Sequence, residues 1–273
     1  MQQLISASFT VPLPLRRKHI MPLRFGSLLT RLILAGLLTT QVNAQATAQA
    51  TAQAPAKAAA QSSETVTPVP REGGWMDRHE AMNQRVKQGN VDVVFIGDSI
   101  TQGWEGAGKE VWKKFYADRN AVNLGIGGDR TQHVIWRLDN GNLEGISPKV
   151  AVIMIGTNNS NSNTAEEIAQ GVTKIVEQLR EKTPETKILL LGTFPRGADA
   201  SDEKRQINEH SNEIVKKLAD DEHVFYLDIS DKFVDAEGKL SKEIMPDLLH
   251  LSEKGYQIWA ESIEPTLKKL LGN

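Results

Sequence analysis

Val91-Asp-Val-Val-Phe-Ile-Gly-Asp-Ser-Ile100 is the stretch from which the fold can be read. Val91 to Ile96 is apolar and largely β-branched, the pattern of a short strand buried on both faces, and Gly97-Asp98 closes it with a turn that delivers a hydroxyl, Ser99. Ala121 to Leu124, Val150 to Ile155 and Ile188 to Leu191 have the same character, and His223 to Ile229 supplies a fifth run. Helical patterns fill the gaps between them. The clearest opens at Thr164, whose hydroxyl can cap the backbone while Glu167 reaches back; Ile168, Val172, Ile175, Val176 and Leu179 then form one stripe, and Pro184 marks the exit. A more polar helix is expected from Ser201 to Asp220 around Ile207, Ile214 and Leu218. The last begins near Ser252 and carries Tyr256, Trp259, Ile263, Leu267 and Leu270, with Pro265 as a kink. Strands alternating with helices predict a three-layer α/β/α sandwich on a parallel sheet, with the functional loops at the C-terminal strand ends.

The first 44 residues carry Arg16, Arg17, Lys18, Arg24 and Arg31 but no acid, then an apolar stretch from Leu32 to Leu38, then Val42-Asn43-Ala44. That order is a secretory signal peptide, and its apolar part is shorter than the roughly 20 residues a bilayer requires. Met21 heads a compact version of the same signal. Residues 45–65, with their near repetition of Ala-Gln-Ala-Thr, have nothing large to bury and are expected to be a disordered linker, leaving 66–273 as one domain. The expected location is therefore the periplasm or the outside of the cell, without stable membrane insertion once the signal is removed. Five of the 32 basic residues lie in the leader, so the remainder sets 27 cations against 34 acids and is a poor match for nucleic acid or anionic membranes. The absence of cysteine excludes disulfides, thiolate metal sites and a cysteine nucleophile.

Candidate site residues fall just after strands. Ser99 follows the first; Gly125-Ile126-Gly127-Gly128-Asp129 follows the second; Gly156-Thr157-Asn158-Asn159 follows the third. A serine hydroxyl with a distant Asp247 and His250, three residues apart, supplies the parts of nucleophilic acyl transfer: His250 takes the proton, and Asp247 holds the imidazole in the right tautomer. The negative oxygen formed in the transition state needs fixed donors, which the backbone N–H groups of Ser99 and Gly128 and the Asn158 amide can provide. Glycine suits position 128 because the backbone must approach the substrate closely. The Gly125 to Gly128 run lacks the third glycine of a dinucleotide loop, and no Walker lysine follows. Trp104 and Trp112 are either core or pocket walls, and Trp104, close after Ser99, is the candidate for lining the acyl pocket.

Taken together, Val94-Phe-Ile-Gly-Asp-Ser-Ile100, Asn123-Leu-Gly-Ile-Gly-Gly-Asp-Arg-Thr-Gln-His-Val-Ile-Trp-Arg-Leu138, Gly156-Thr-Asn-Asn159 and Asp247-Leu-Leu-His-Leu251 resemble the SGNH (GDSL-type) hydrolases. Within that superfamily they are most similar to the catalytic subunits of type I platelet-activating-factor acetylhydrolase. The resemblance runs from about Trp75 onward and implies a flavodoxin-like sheet of five parallel strands with no metal or organic cofactor. Its nucleophile falls on Ser99, its oxyanion donors on Gly128 and Asn158, and its acid and base on Asp247 and His250. Ile100 stands where the motif has leucine. Animal members of the subgroup dimerise, so a homodimer is allowed. They are also intracellular, whereas this chain begins with an export signal. The expected activity is therefore a serine esterase acting on short-chain, chiefly acetyl, esters of a carbohydrate or related polar metabolite. The alternatives are a lysophospholipase or thioesterase and, from another class, a non-catalytic glycan-binding module.

Overall fold

The computed structural model describes residues 63–272; the expected signal peptide and most of the expected linker lie outside them. In chain order the described elements are α1 (Gly74–Lys87), β1 (Val93–Gly97), α2 (Ser99–Gln102), α3 (Lys109–Phe115), β2 (Ala121–Gly125), α4 (Thr131–Asp139), β3 (Val150–Met154), α5 (Ala165–Lys182), β4 (Lys187–Leu191), α6 (Glu203–Val215), β5 (Val224–Leu227) and α7 (Glu253–Leu271), with short 3-10 turns between. The five strands are all parallel, in the order β2-β1-β3-β4-β5. This is the doubly wound order whose reversal beside β1 opens a ligand crevice at the C-terminal strand ends.

Every residue of β1 and β3 is buried, as their unbroken apolar runs require. Alternate side chains enter two separate cores. Val94, Ile96, Ala151 and Ile153 join α1, α4, α5 and α6 on one face, while Val93, Phe95, Val152 and Met154 join α2, α3 and α7 on the other. The α5 capping box forms as read, with the Thr164 hydroxyl accepting from Glu167 N and the Glu167 carboxylate accepting from Thr164 N. Helix α6 is shorter than expected: Asp202 caps it by accepting from Arg205 N, and it tightens into a 3-10 turn at Lys216. Pro265 does not end α7. It and Glu261, whose carbonyl it deprives of a partner, both face solvent, where water can replace the lost bond.

The linker boundary shifts. Thr65 is fully buried; its hydroxyl donates to the Glu167 carbonyl at 2.7 Å, and its carbonyl accepts from the Thr131 hydroxyl at 2.9 Å. Packed structure thus begins before residue 66, because a small residue with both polar groups satisfied fills the notch between α4 and α5, something a search for large apolar residues does not register.

Gly97 and Gly125 are direct partners at the C-terminal ends of β1 and β2. A Cβ on Gly125 would stand 2.7 Å from the Thr101 carbonyl carbon and closer still to Gln102 N. Helix α2, which carries Ser99, can therefore rest directly on the sheet. Gly125→Ala is expected to lower stability by about 1 to 3 kcal/mol through overpacking and to reduce turnover by displacing Ser99. Denaturant titration together with an ester assay measures both; unchanged values would mean that α2 tolerates the methyl group.

Candidate active site

Ser99 is the first residue of α2, and Asp98 caps that helix by accepting from Ile100 N at 2.9 Å. On the opposite side of α2 the Tyr256 hydroxyl donates to the Ile100 carbonyl at 2.6 Å, tying the helix that carries Ser99 to α7. Ser99 Oγ lies 2.9 Å from His250 Nε2, and His250 Nδ1 lies 2.7 Å from Asp247 Oδ2. A carboxylate can only accept, so the proton belongs on Nδ1 and Nε2 is left to accept from the serine hydroxyl. Partial burial pushes the Asp247 carboxyl up, but hydrogen bonds from the His250 ring and from the His250 and Leu249 N–H groups outweigh it and hold the group below the usual range.

The three residues from Asp247 to His250 are not spanned by a helical turn. The segment is a non-helical turn wrapped around Asp247 Oδ1, and it requires Leu248 to adopt φ +61°. A leucine seldom occupies that left-handed region, so the turn is held from outside: Leu248 N donates to Met245 O and Leu248 O accepts from Gly197 N, both at 2.9 Å. Ser252 anchors the far end by donating to Glu243 O and capping α7.

The other two loops converge on the same edge. Gly128 takes φ +76°, which glycine alone adopts without penalty. The N–H groups of Ser99 and Gly128 have no protein acceptor among the described residues. Gly127 N, by contrast, donates to the Gln102 side chain at 2.7 Å, which pins the loop to α2. One N–H of the Asn158 amide is spent on the Asp129 carbonyl at 2.9 Å, leaving the second for a ligand. Arg196 and Asn208 brace the neighbouring Thr157. The Asn-rich stretch is therefore a structured junction, in which Asn159 accepts from Thr131 N at the start of α4.

Beneath these loops lies a polar knot that the sequence reading did not single out. Asp129 and Arg137 have fully buried side chains, with Arg137 Nε donating to Asp129 Oδ2 at 2.9 Å. Trp75 Nε1 donates to Asp129 Oδ1 at 2.6 Å, and Arg71 reaches both that oxygen and the Gly127 carbonyl. Arg137 also donates to the carbonyl of Gly97, the last residue of β1. Burial pushes the Asp129 carboxyl up, and the Arg137 guanidinium opposes that shift. The available signal was a lone arginine in the otherwise apolar run Val134-Ile-Trp-Arg-Leu138, on a helix that follows an aspartate. His133, in the same helix, is packed beside Trp75 and accepts from Arg130 N, and burial lowers its pKa to about 4.

Trp104 does not border the recess at Ser99. It is buried between Tyr256 and Trp259, with ring centroids 4.5 and 4.9 Å away, so the expectation that it lines the acyl pocket is corrected in favour of core. The recess at Ser99, about 400 Å³, is bordered instead by Gln102, Gly103, Glu105 and Gly106. The indole is drawn inward because α7 and β1 offer aromatic partners there. Among the described residues no group of three or more His, Asp or Glu side chains is placed to hold a metal ion, and no helix is long and apolar enough to cross a membrane.

The family model for GDSL-like lipases and acylhydrolases matches residues 95–258, more than half of the chain. This chain belongs to the GDSL-like lipase/acylhydrolase family. As a family member it is an ester hydrolase, and its relatives agree. It is 39% identical over 207 residues to the bovine platelet-activating factor acetylhydrolase IB subunit alpha1, covering 76% of this chain and 88% of the relative. Among solved structures, a carbohydrate acetylesterase from Sinorhizobium meliloti superposes with a TM-score of 0.53 at 20% identity, covering 66% of this chain and 99% of that one. An acetyl-xylooligosaccharide esterase from Geobacillus superposes equally well, with a TM-score of 0.53 at 19% identity and coverage of 66% and 94%. At these identities the two structures share the GDSL fold with this chain.

Asp98 raises a separate point about the family's Gly-Asp-Ser motif. It is fully buried, and its Oδ2 has no hydrogen-bond partner. Burial pushes its pKa up to about 7, with the Ile100 N–H opposing. A carboxyl raised in this way holds its proton more tightly in the folded state than in the unfolded state. Its contribution to stability is therefore complete in acid and is lost as pH climbs from about 4, the unfolded value, to about 7. Melting temperatures of wild type and Asp98→Asn across pH 4 to 8 are expected to diverge over that window, with wild type losing ground as pH rises. A constant offset would mean that the acid stays ionised throughout.

Proposed function

We propose that the chain is an exported serine esterase that removes short acyl groups, acetyl foremost, from a carbohydrate or a similarly polar alcohol. The observation that carries this reading is the continuous relay from Ser99 through His250 to Asp247, at 2.9 and 2.7 Å, opening onto unengaged N–H donors. Ser99 Oγ attacks the ester carbonyl as His250 Nε2 takes its proton, and Asp247 stabilises the imidazolium so formed. The carbonyl oxygen becomes negative facing the N–H groups of Ser99 and Gly128 and the Asn158 amide. On collapse the alcohol departs with the proton from His250. Water, deprotonated by the same imidazole, then releases the acid and restores the serine.

The short-acyl preference rests on what borders the recess beside Ser99, the backbones of Gly103 and Gly106 and the Glu105 carboxylate. A long alkyl chain there would strip water from that carboxylate. Relatives whose names specify acetyl esters support the same choice. Export rests on the basic and apolar leader described above.

Asn158→Ala is expected to lower kcat by about 10² to 10³ while the protein stays folded, as loss of one oxyanion donor does; turnover near wild type would remove Asn158 from the site. In a series of esters of one alcohol with increasing acyl length, kcat/KM is expected to peak at acetyl. Rates that climb steadily toward long chains would instead favour a lysophospholipase or thioesterase.

A further inference from the structure

A groove of about 700 Å³ opens between α1, α3 and β2, the edge strand of the sheet. It adjoins the Ser99 recess, because Glu105 borders both. Its volume lies in the range of about 300 to 1,000 Å³ typical of small-ligand clefts.

The side chains that face it combine an aromatic wall with polar groups whose positions are already fixed. Trp112 is partly exposed on the groove, while its ring packs against Phe95 and Tyr116 with centroids 5.0 and 5.1 Å away, so the indole cannot swing aside. Arg78 donates from Nη1 and Nη2 to the two oxygens of Glu105 at 2.9 and 2.8 Å, and from Nε to the Gly125 carbonyl at 2.9 Å. That fork holds the carboxylate in one orientation, yet the Glu105 side chain keeps 52% of its surface exposed and both oxygens keep accepting capacity. Asp77 and Arg85 add an acceptor and a donor along α1.

An indole face with an apolar flank of Met82 and Val122, beside two acids and the cations Arg78, Arg85 and Lys109, suits a ligand with an apolar ring face and a rim of hydroxyls. An alkyl chain would desolvate the ionised groups without replacing their hydrogen bonds. The Gly125 carbonyl that anchors Arg78 also lies three residues before Gly128, so the groove and the oxyanion loop share one rigid support.

We infer that this groove is a carbohydrate subsite, holding further sugar rings of an oligosaccharide whose acetyl ester is seated at Ser99, with Glu105 at the junction. This rests on the reading of the site as a short-acyl carbohydrate esterase, and it adds that the substrate is an oligosaccharide and where its additional rings lie. Binding energy gained there raises kcat/KM without any contact with the reacting atoms.

The test uses the full chain, p-nitrophenyl acetate as a reference ester, and mono-O-acetylated xylose and glucose alongside their three-ring oligosaccharides. Wild type is expected to gain about tenfold in kcat/KM between one ring and three in at least one series, as remote binding energy allows. Glu105→Gln and Trp112→Phe, both conservative in shape, are expected to flatten that gain when each rate is divided by the same variant's rate on p-nitrophenyl acetate, which cancels general damage. Variants that retain the full gain would overturn the subsite. A wild type that cleaves the one-ring acetates without any gain from added rings would overturn the subsite and leave the esterase reading intact. A wild type that cleaves p-nitrophenyl acetate but no sugar acetate, or whose rates rise with lipid chain length in a way that Trp112→Phe abolishes, would overturn both.

Discussion

Three loops leave three parallel strands with no covalent tie between them, and the buried Asp129–Arg137 ion pair is what makes them one object. Asp129 belongs to the loop after β2, and its main-chain carbonyl receives the Asn158 amide from the loop after β3. Arg137 reaches across to the end of β1, immediately before the turn that presents Ser99. Taking two charges out of water is expensive, and the pair holds because every strong donor and acceptor in it is matched, with Trp75 and Arg71 completing the Asp129 oxygens. Removing one partner of such a pair costs about 3 to 5 kcal/mol because the other is left buried and unpaired. The arrangement is accordingly all or nothing, which suits a site in which donors must be aimed to within a few tenths of an ångström.

The reactive pair is assembled differently. Asp247 and His250 sit on an exposed turn in which the Asp247 carboxylate accepts from the Leu249 and His250 N–H groups, while Met245 and Gly197 hold Leu248 from outside. Leu248 carries the backbone cost of that turn. The contact with Ser99 spans 151 positions of chain and exists only because α7 packs its aromatic face into the same core that supports α2. A half-buried serine, held by the Asp98 cap and the Tyr256 hydroxyl, thus meets a solvent-facing imidazole. In the proposed mechanism this leaves the base free to exchange protons with water.

Glu105 connects this chemistry to the choice of substrate. Its charge, fixed by the Arg78 fork, stands at the edge of the serine recess and at the mouth of the groove along β2. The same arginine holds the end of β2 through the Gly125 carbonyl. On the proposed reading, substrate selection and transition-state stabilisation are adjacent but chemically separate: one through exposed acceptors on the alcohol side, the other through backbone N–H groups over the carbonyl.

Much of this was legible in the chain itself. Strands buried on both faces announce themselves as unbroken apolar runs, and each candidate residue, Ser99, Gly128, Asn158, Asp247 and His250, stands at a motif whose residue types are chemically specific. The α5 cap was readable because a capping box is a local hydrogen-bond pattern spanning four residues. What escaped the linear reading was whatever depends on partners far away in sequence. Trp104 could be wall or core until α7 supplied rings to enclose it; Thr65 looked like linker until α4 and α5 offered it acceptor and donor; Asp129 and Arg137 stand eight residues apart with nothing in the chain to mark them as a buried pair. The sequence by itself determined the layered α/β architecture and which groups are the candidates for the chemistry, since hydrophobic periodicity and side-chain chemistry are properties of the chain. Tertiary structure alone decided which polar groups are buried and where each one points, because desolvation and hydrogen-bond direction come into being only when distant segments exclude water together.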